Sequence, residues 1–168
     1  STWNTIYTSS GSSTSTQIKL PLVNGGTYNF IVNWGDGTTN TITTWNQAEV
    51  THTYGAGGAK TIEIYGTLIG WSFNYTGDRL KILTISNWGT IQLGNTSSYF
   101  SGCENLTSIG KFLDTTGTTD FSTAWYYCNF TSFPLIDISN GTNFSYAWSN
   151  CSNLTSFPLV DTSSGIDF

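Results

Sequence analysis

The segment FSTAWYYCNFTSFPLID at residues 121–137 returns, with five substitutions and one inserted residue, as FSYAWSNCSNLTSFPLVD at residues 144–161. A weaker copy, TSSYFSGCENLTSIGKFLD, precedes them at residues 96–114. Each copy holds one cysteine, and the cysteines recur at intervals of 25 and 23 residues: Cys103, Cys128 and Cys151. Such periods are typical of chains that stack one structural unit on the next, because a single unit cannot bury its apolar face alone. The three segments are called repeats 1, 2 and 3.

The residues around each cysteine predict one short helix and one short strand per repeat. Four residues of repeat 3 stand at i, i+3, i+4 and i+7, which is the spacing of one helix face: Phe144, Ala147, Trp148 and Cys151. Repeat 2 has the same spacing, and repeat 1 has a weaker form of it. After the cysteine, apolar and polar residues alternate, so a strand is predicted that ends at Pro134 or Pro158, where the N–H needed for pairing is missing.

The cysteines are interpreted as small buried side chains stacked in the interior of the repeats. The alternative is a redox pair, since strands that stack about 4.8 Å apart bring neighbouring sulfurs close. The aspartate that closes each repeat also has two interpretations. Its carboxylate is expected to accept N–H groups of its own turn, and the alternative is a calcium ion bridged between the stacked carboxylates of Asp114, Asp137 and Asp161.

Residues 1–77 show short runs of β-forming residues separated by glycine-rich turns, which predicts a small β-sandwich. The segment Val32-Asn-Trp-Gly-Asp-Gly-Thr38, followed by His52-Thr-Tyr54 and a closing strand from Lys60 to Ile64, resembles the PKD-type immunoglobulin-like module. The resemblance implies a noncatalytic spacer or adhesion unit. Trp34 stands next to the Gly-Asp-Gly turn without the family's intervening aromatic residue. His52 is expected to hydrogen-bond this turn.

Residues 80–168 carry the elements F-x-x-C-x-N-L-T-S, first at residues 100–108, and F-P-x-x-D-T-S at residues 157–163, preceded by Asn87-Trp-Gly-Thr-Ile91. The motif around the cysteine recurs three times, and the segment resembles the BspA-type leucine-rich repeats of microbial surface proteins. The combined expectation is a mainly β protein in which a PKD-like sandwich at 1–77 precedes a short leucine-rich-repeat solenoid at 78–168, with the last repeat incomplete. The resemblance implies an extracellular or cell-surface location and a role in adhesion to host, matrix or neighbouring-cell ligands.

Composition narrows the classes of partner and activity. Charged residues make up only 9% of the chain, the net charge is -5, and no run of Lys or Arg exists, so nucleic acid is not an expected partner. No stretch is apolar for long enough to insert in a membrane. With a single histidine, no catalytic triad, metal cluster or phosphate loop can be assembled, so no enzyme, metal or cofactor is predicted. The open alternative is a carboxylate pair for glycoside cleavage drawn from Glu49, Glu63, Glu104 and Asp120.

Two groups of side chains are the candidate ligand-binding residues. One is a column of hydroxyls on the predicted strand face: Thr107, Thr131 and Thr155. The other consists of tyrosines that lie off the predicted apolar helix face: Tyr126, Tyr127 and Tyr146. Such side chains suit glycans or polar protein surfaces, and ordinary surface packing is the alternative for the tyrosines.

The last repeat lacks a polar cap, which suggests self-assembly as a second function. Its apolar end would lose roughly 1.5–3 kcal/mol for each large side chain left in water, and it consists of Leu154, Phe157, Val160 and Phe168. The expectation is that the chain continues beyond residue 168 or that this end packs onto another copy. Head-to-tail packing does not close on itself, so it would produce a surface filament or viral fibre.

Overall fold

The computed structural model describes residues 1–168 and is mainly β, with several sheets. Its only regular helix is a single 3-10 turn at Ala48–Val50. The ten strands, in chain order, are β1 (Thr2–Asn4), β2 (Gln17–Lys19), β3 (Leu22–Asn33), β4 (Thr39–Ile42), β5 (Thr51–Thr53), β6 (Ala59–Thr61), β7 (Glu63–Trp71), β8 (Ile82–Ile85), β9 (Ile91–Gln92) and β10 (Ser108–Ile109).

Two four-stranded sheets and one strand pair make up the regular structure. The first sheet has the order β10-β8-β1-β6, the second has the order β4-β3-β7-β9, and β2 pairs with β5. Strands β3 and β7 form the long antiparallel centre of the second sheet, from Asn33 opposite Glu63 to Leu22 opposite Trp71. Their alternation places Phe30 in the core while its neighbour Ile31 remains 48% exposed, as expected for a sheet that has one buried face.

Both sheets cross the predicted boundary between residues 77 and 78. Strand β1 pairs with β6 on one side and with β8 on the other, and β9 pairs with β7. The buried apolar residues form one cluster that runs from Trp3 to Cys151. The division into units 1–77 and 78–168 stays a prediction, although hydrogen bonds and a common core join the two parts.

A buried ion pair also joins the two parts. Lys81 and Asp78 are fully buried, with 3.2 Å between Nζ and Oδ1. The Lys81 ammonium donates to the carbonyls of Ser13, Thr14 and Gln17, and the Asp78 carboxylate accepts from the backbone N–H groups of Ser13 and Lys19. Every charge taken out of water therefore has partners, which is the condition under which a buried pair is tolerated.

The helix predicted in each repeat is wrong. Residues 122–127 and 145–150 are turns, in which Thr123, Tyr127, Tyr146 and Asn150 have left-handed φ values between 49° and 61°. A right-handed helix cannot contain such a residue at every fourth position. In repeat 2, the N–H groups of alternate residues donate to carbonyls of repeat 3, and not to carbonyls one helical turn earlier in the chain. The Trp125 N–H, for example, donates to the carbonyl of Ala147.

The strand predicted after each cysteine forms only in part. Repeat 1 contributes β10, which pairs in parallel with β8, whereas repeats 2 and 3 keep one isolated parallel bridge, between Ser132 and Ser156. Pro134 and Pro158 follow within two residues and have no N–H, so the ladder cannot extend.

The repeats nevertheless stack in register. Phe121, Phe144 and Phe168 follow one another with ring centroids 5.5 and 5.6 Å apart. Trp125 stacks on Trp148 at 5.3 Å and 14°, and Phe133 stacks on Phe157 at 5.3 Å and 10°. Columns of equivalent side chains therefore run through the carboxyl-terminal half.

Candidate binding surface

Three tyrosines and an arginine form an aromatic surface patch, the tyrosine surface: Tyr75, Arg79, Tyr126 and Tyr127. The ring centroids of Tyr126 and Tyr127 are 4.7 Å apart, and those of Tyr75 lie 6.0 and 6.1 Å from them. Tyr75 is 43% exposed and Tyr127 39% exposed. The backbone of both residues is left-handed, with φ of 58°.

The Arg79 guanidinium is fixed beside these rings. Its Cζ lies 4.4 Å from the Tyr75 ring centroid, within the range of a cation–π contact. One of its nitrogens also donates to the Gly102 carbonyl at 2.6 Å and to the Glu104 carboxylate at 2.7 Å. Gly102 is needed here, because a Cβ would lie 2.6 Å from the Tyr75 ring and the backbone φ is +76°. The patch therefore combines partly exposed tyrosine rings with a charged, hydrogen-bonding edge.

The third tyrosine predicted to bind ligand lies apart from this patch. Tyr146 is 69% exposed and makes no ring contact with the other tyrosines. The structure thus brings Tyr126 and Tyr127 together and adds Tyr75 and Arg79, which sequence reasoning missed. Their partner residues lie some fifty positions away in the chain, so no local pattern could have found them.

The threonine column is exposed, but two of its three hydroxyls also take part in the stack, whereas the Thr131 hydroxyl has no hydrogen-bond partner in the chain. Thr107 Oγ1 donates to the Leu83 carbonyl at 3.3 Å, and Thr155 Oγ1 donates to the Thr131 carbonyl at 3.1 Å. These hydroxyls use their single proton within the chain and retain only acceptor capacity towards a ligand. The column is therefore the weaker of the two predicted binding surfaces.

The cysteines lie in the interior, as the first interpretation expected. All three are free thiols and buried, and the Cys128 and Cys151 thiols contact the carbonyls of Phe100 and Trp125. Burial raises the pKa of each thiol. Such thiols have little thiolate character, so the geometry gives no support to a reactive pair.

The aspartate column closes turns. Asp114, Asp137 and Asp161 each accept the N–H of the residue two positions later, at 2.9 to 3.1 Å. Hydrogen bonds lower the pKa of all three carboxyls, led by the Gln92 amide for Asp114 and by a serine hydroxyl for the other two. The turn interpretation is thus confirmed, and no group of three His, Cys, Asp or Glu residues is placed to share an ion.

The histidine contacts the Gly-Asp-Gly turn, as expected. His52 Nε2 lies 2.7 Å from Asp36 Oδ2, and the imidazole stacks on Trp34 at 4.8 Å and 11°. The four carboxylates considered for glycoside cleavage hydrogen-bond different neighbours. The pairs are Glu49 with Gln47, Glu63 with Asn33 and Tyr65, Glu104 with Arg79, and Asp120 with Ser122.

The end of repeat 3 exposes apolar side chains. Phe157 is 45% and Phe168 74% exposed, whereas Leu154 and Val160 are half-buried. The backbone N–H groups of Tyr146, Trp148 and Asn150 have no acceptor in the chain, although their equivalents Thr123, Trp125 and Tyr127 all donate to repeat 3. The end of repeat 3 therefore has exposed aromatic rings on which another repeat can stack and unpaired N–H groups that can donate to its carbonyls.

One exposed apolar column was missed at the sequence level. It consists of Phe112, Leu135 and Leu159, which are 90%, 61% and 97% exposed. Each stands two residues before the aspartate that closes its repeat. The spacing was visible in the sequence, but alternation alone did not reveal which of two consecutive apolar residues faces outward.

No family model, curated protein or solved structure matches this chain. No helix of the structure is long and apolar enough to span a bilayer.

Proposed function

We propose that this protein is a noncatalytic extracellular binding protein that attaches to glycans through the tyrosine surface. The observation that carries the proposal is the cluster of three partly exposed tyrosine rings beside Arg79 and Glu104. Exposed aromatic faces offer apolar area to the C–H groups of a sugar ring, and aromatic and arginine side chains dominate binding energy at many interfaces. Arg79 and Glu104 supply a donor and an acceptor for sugar hydroxyls.

The likeness to BspA-type surface proteins is part of this proposal. Its fold would be a PKD-like sandwich at 1–77 followed by a short solenoid at 78–168, in which stacked turns replace the helices of the repeats. The register of the aromatic columns and the His52–Asp36 contact support it. A cell-surface location follows from the same likeness.

The test is a glycan array followed by titration of the best ligand. Tyr127→Asn keeps a residue that tolerates a left-handed φ and removes the ring, and we expect about a tenfold loss of affinity. Tyr65→Asn is the matched control, because Tyr65 is 58% exposed and lies outside the tyrosine surface. Equal affinities of the two variants, or no glycan bound above background, would contradict the proposal.

A second function, a self-assembling subunit of a surface filament or viral fibre, is favoured by the end of repeat 3. The three unpaired N–H groups and the exposed Phe168 fit one more repeat-like layer, supplied by a second copy. Electron microscopy of concentrated protein should then show long polymers, and Phe168→Glu should abolish them. Phe112→Glu is the control, since Phe112 is even more exposed than Phe168, 90% against 74%, but lies in repeat 1. Monomers at high concentration would exclude this function.

A further inference from the structure

The apolar column and the aspartate column run next to each other on the outside of the repeats. In each repeat an exposed apolar residue comes first, a more buried apolar residue follows, and the closing aspartate comes third. These triplets are Phe112-Leu113-Asp114, Leu135-Ile136-Asp137 and Leu159-Val160-Asp161. Asp137 and Asp161 are exposed, and Asp114 is half-buried. The first and third residues of the triplets are together called the two-column surface.

The aspartates of this surface are charged and retain free acceptor atoms. The Ser139 hydroxyl lowers the pKa of Asp137, and the charge of Asp161 opposes this shift, so the two carboxylates repel each other. Only Oδ1 of Asp137 and of Asp161 accepts a hydrogen bond within the chain, which leaves both Oδ2 atoms without a partner. Lys111, at the repeat 1 end of the surface, is the only basic residue of the three repeats. A partner that brings cations would relieve the repulsion.

The rise of the stack matches the pitch of an α-helix. The ring centroids of Phe133 and Phe157 are 5.3 Å apart, and those of Phe121 and Phe144 are 5.5 Å apart. The first pair stands two residues before its members of the apolar column, so this rise applies to the column as well. Residues i, i+4 and i+7 of a helix follow one another at a pitch of about 5.4 Å. In an extended strand, side chains on one face recur at about 6.6 Å and lose the register within two repeats.

The charges exclude two other occupants of the surface. A second copy that packed the same surface against itself would bring aspartates against aspartates, which is unfavourable. A bilayer would have to take up the apolar column together with the carboxylates beside it, and an ionised carboxylate is costly to remove from water. The surface therefore fits a partner that has an apolar stripe flanked by positive charge.

We propose that the two-column surface docks an amphipathic helix of a partner protein, which lies along the stack. Its apolar stripe covers Phe112, Leu135 and Leu159, and the Lys or Arg residues on one flank face the aspartates. Helix-in-groove recognition uses the same i, i+4 and i+7 anchors. This docking is independent of the proposed glycan binding and self-assembly, because its contact side chains belong neither to the tyrosine surface nor to the apolar end of repeat 3.

The experiment measures fluorescence anisotropy of a labelled synthetic peptide added to the intact protein. The probe is a helix of about 15 residues with leucines at i, i+4, i+7 and i+11 and lysines along one flank. Two comparison peptides are the same helix with glutamate in place of lysine and a strand-forming peptide of alternating leucine and lysine. We expect saturable binding of the lysine helix to one site per chain, at least tenfold tighter than the binding of either comparison peptide.

Variants of the protein then locate the site. Leu159→Ser should weaken binding of the lysine helix about tenfold or more, whereas Ile31→Ser, at an exposed isoleucine of strand β3, should not. Asp137→Asn keeps the acceptor for the turn and removes the charge, so a loss of about threefold is expected, against none for the exposed Glu49→Gln. The loss caused by Asp137→Asn should vanish at about 1 M salt, where charges are screened beyond about 3 Å.

Several outcomes would overturn the proposal. They are binding that does not saturate, equal binding of the glutamate helix, tighter binding of the strand-forming peptide, and binding that survives Leu159→Ser. Dimerisation or attachment to phosphatidylcholine vesicles that Leu159→Ser abolishes would assign the surface to a second copy or to a bilayer instead.

Discussion

At the scale of single residues, the Asp36–His52 contact shows how one turn is held. The Asp36 carboxylate accepts from Thr38 Oγ1 at 2.6 Å and from the Thr38 N–H at 3.1 Å, and it lies 2.7 Å from His52 Nε2. Burial disfavours the charged form, but these hydrogen bonds outweigh it and lower the pKa of Asp36 from 3.8 to about 2. The imidazole is held between Asp36 and the indole of Trp34, so it closes the turn.

The lowered pKa of Asp36 predicts that the protein loses stability in acid. The folded state has the lower pKa, so the unfolded state binds more protons as the pH falls from about 4 to 2, and the stability that Asp36 contributes above that range is lost within it. Asp36→Asn should therefore have a lower Tm at pH 6 and a flatter decline of Tm between pH 4 and 2. Thermal unfolding followed by circular dichroism measures this.

Thr38→Val provides the graded control, because it removes one hydroxyl donor and keeps the backbone N–H bond. Its curve should lie between those of the wild type and Asp36→Asn. Three parallel curves would show that the Asp36 carboxylate does not titrate differently in the folded state.

At the scale of elements, the repeats show what spacing can and cannot predict. The columns were predictable, because the period alone aligns cysteine with cysteine and phenylalanine with phenylalanine. The helix was not, since turns with a left-handed residue at every fourth position bury the same i, i+3, i+4 and i+7 positions. The left-handed residues in these turns of repeats 2 and 3 are Thr, Tyr and Asn, so no glycine in the sequence indicated a left-handed position there. In repeat 1, Gly102 is the one glycine that occupies such a position.

Hydrogen exchange distinguishes stacked turns from helices. The amide protons of Trp125 and Tyr127 donate to repeat 3 and should exchange slowly, whereas those of Trp148 and Asn150 have no acceptor and should exchange fast. Two-dimensional NMR of the monomer in D₂O measures each of these amides. Equal protection of Trp125 and Trp148 would contradict the layer-to-layer pairing. In a filament, the amides of Trp148 and Asn150 should become protected as well.

At the scale of the whole molecule, the two parts of the chain share two sheets and one core. The tyrosine surface illustrates this, since Tyr75 precedes the predicted boundary while Tyr126 and Tyr127 follow it. The sequence predicted a sandwich and repeats as neighbours, but it could not predict sheets that cross residue 77. In one of these sheets β1 pairs with β8, and neither strand has a sequence pattern that indicates its partner.

Lys81 tests this dependence most directly. Lys81→Met removes the ammonium that binds three carbonyls of residues 13–17 and leaves Asp78 buried without its counterion, so we expect the free energy of unfolding to fall by about 3–5 kcal/mol. Urea unfolding measures the loss, and Lys111→Met is the control, because Lys111 is exposed.

Hydrogen exchange with mass spectrometry then locates the effect of Lys81→Met. Because the two parts share two sheets and one core, we expect them to unfold as one cooperative unit, so that peptides from strand β3 and from repeat 2 lose protection together. Faster exchange restricted to residues 1–77 would instead show two independently stable domains. In that case the buried pair would stabilise only the amino-terminal sandwich, and the tyrosine surface would join two units that are free to separate.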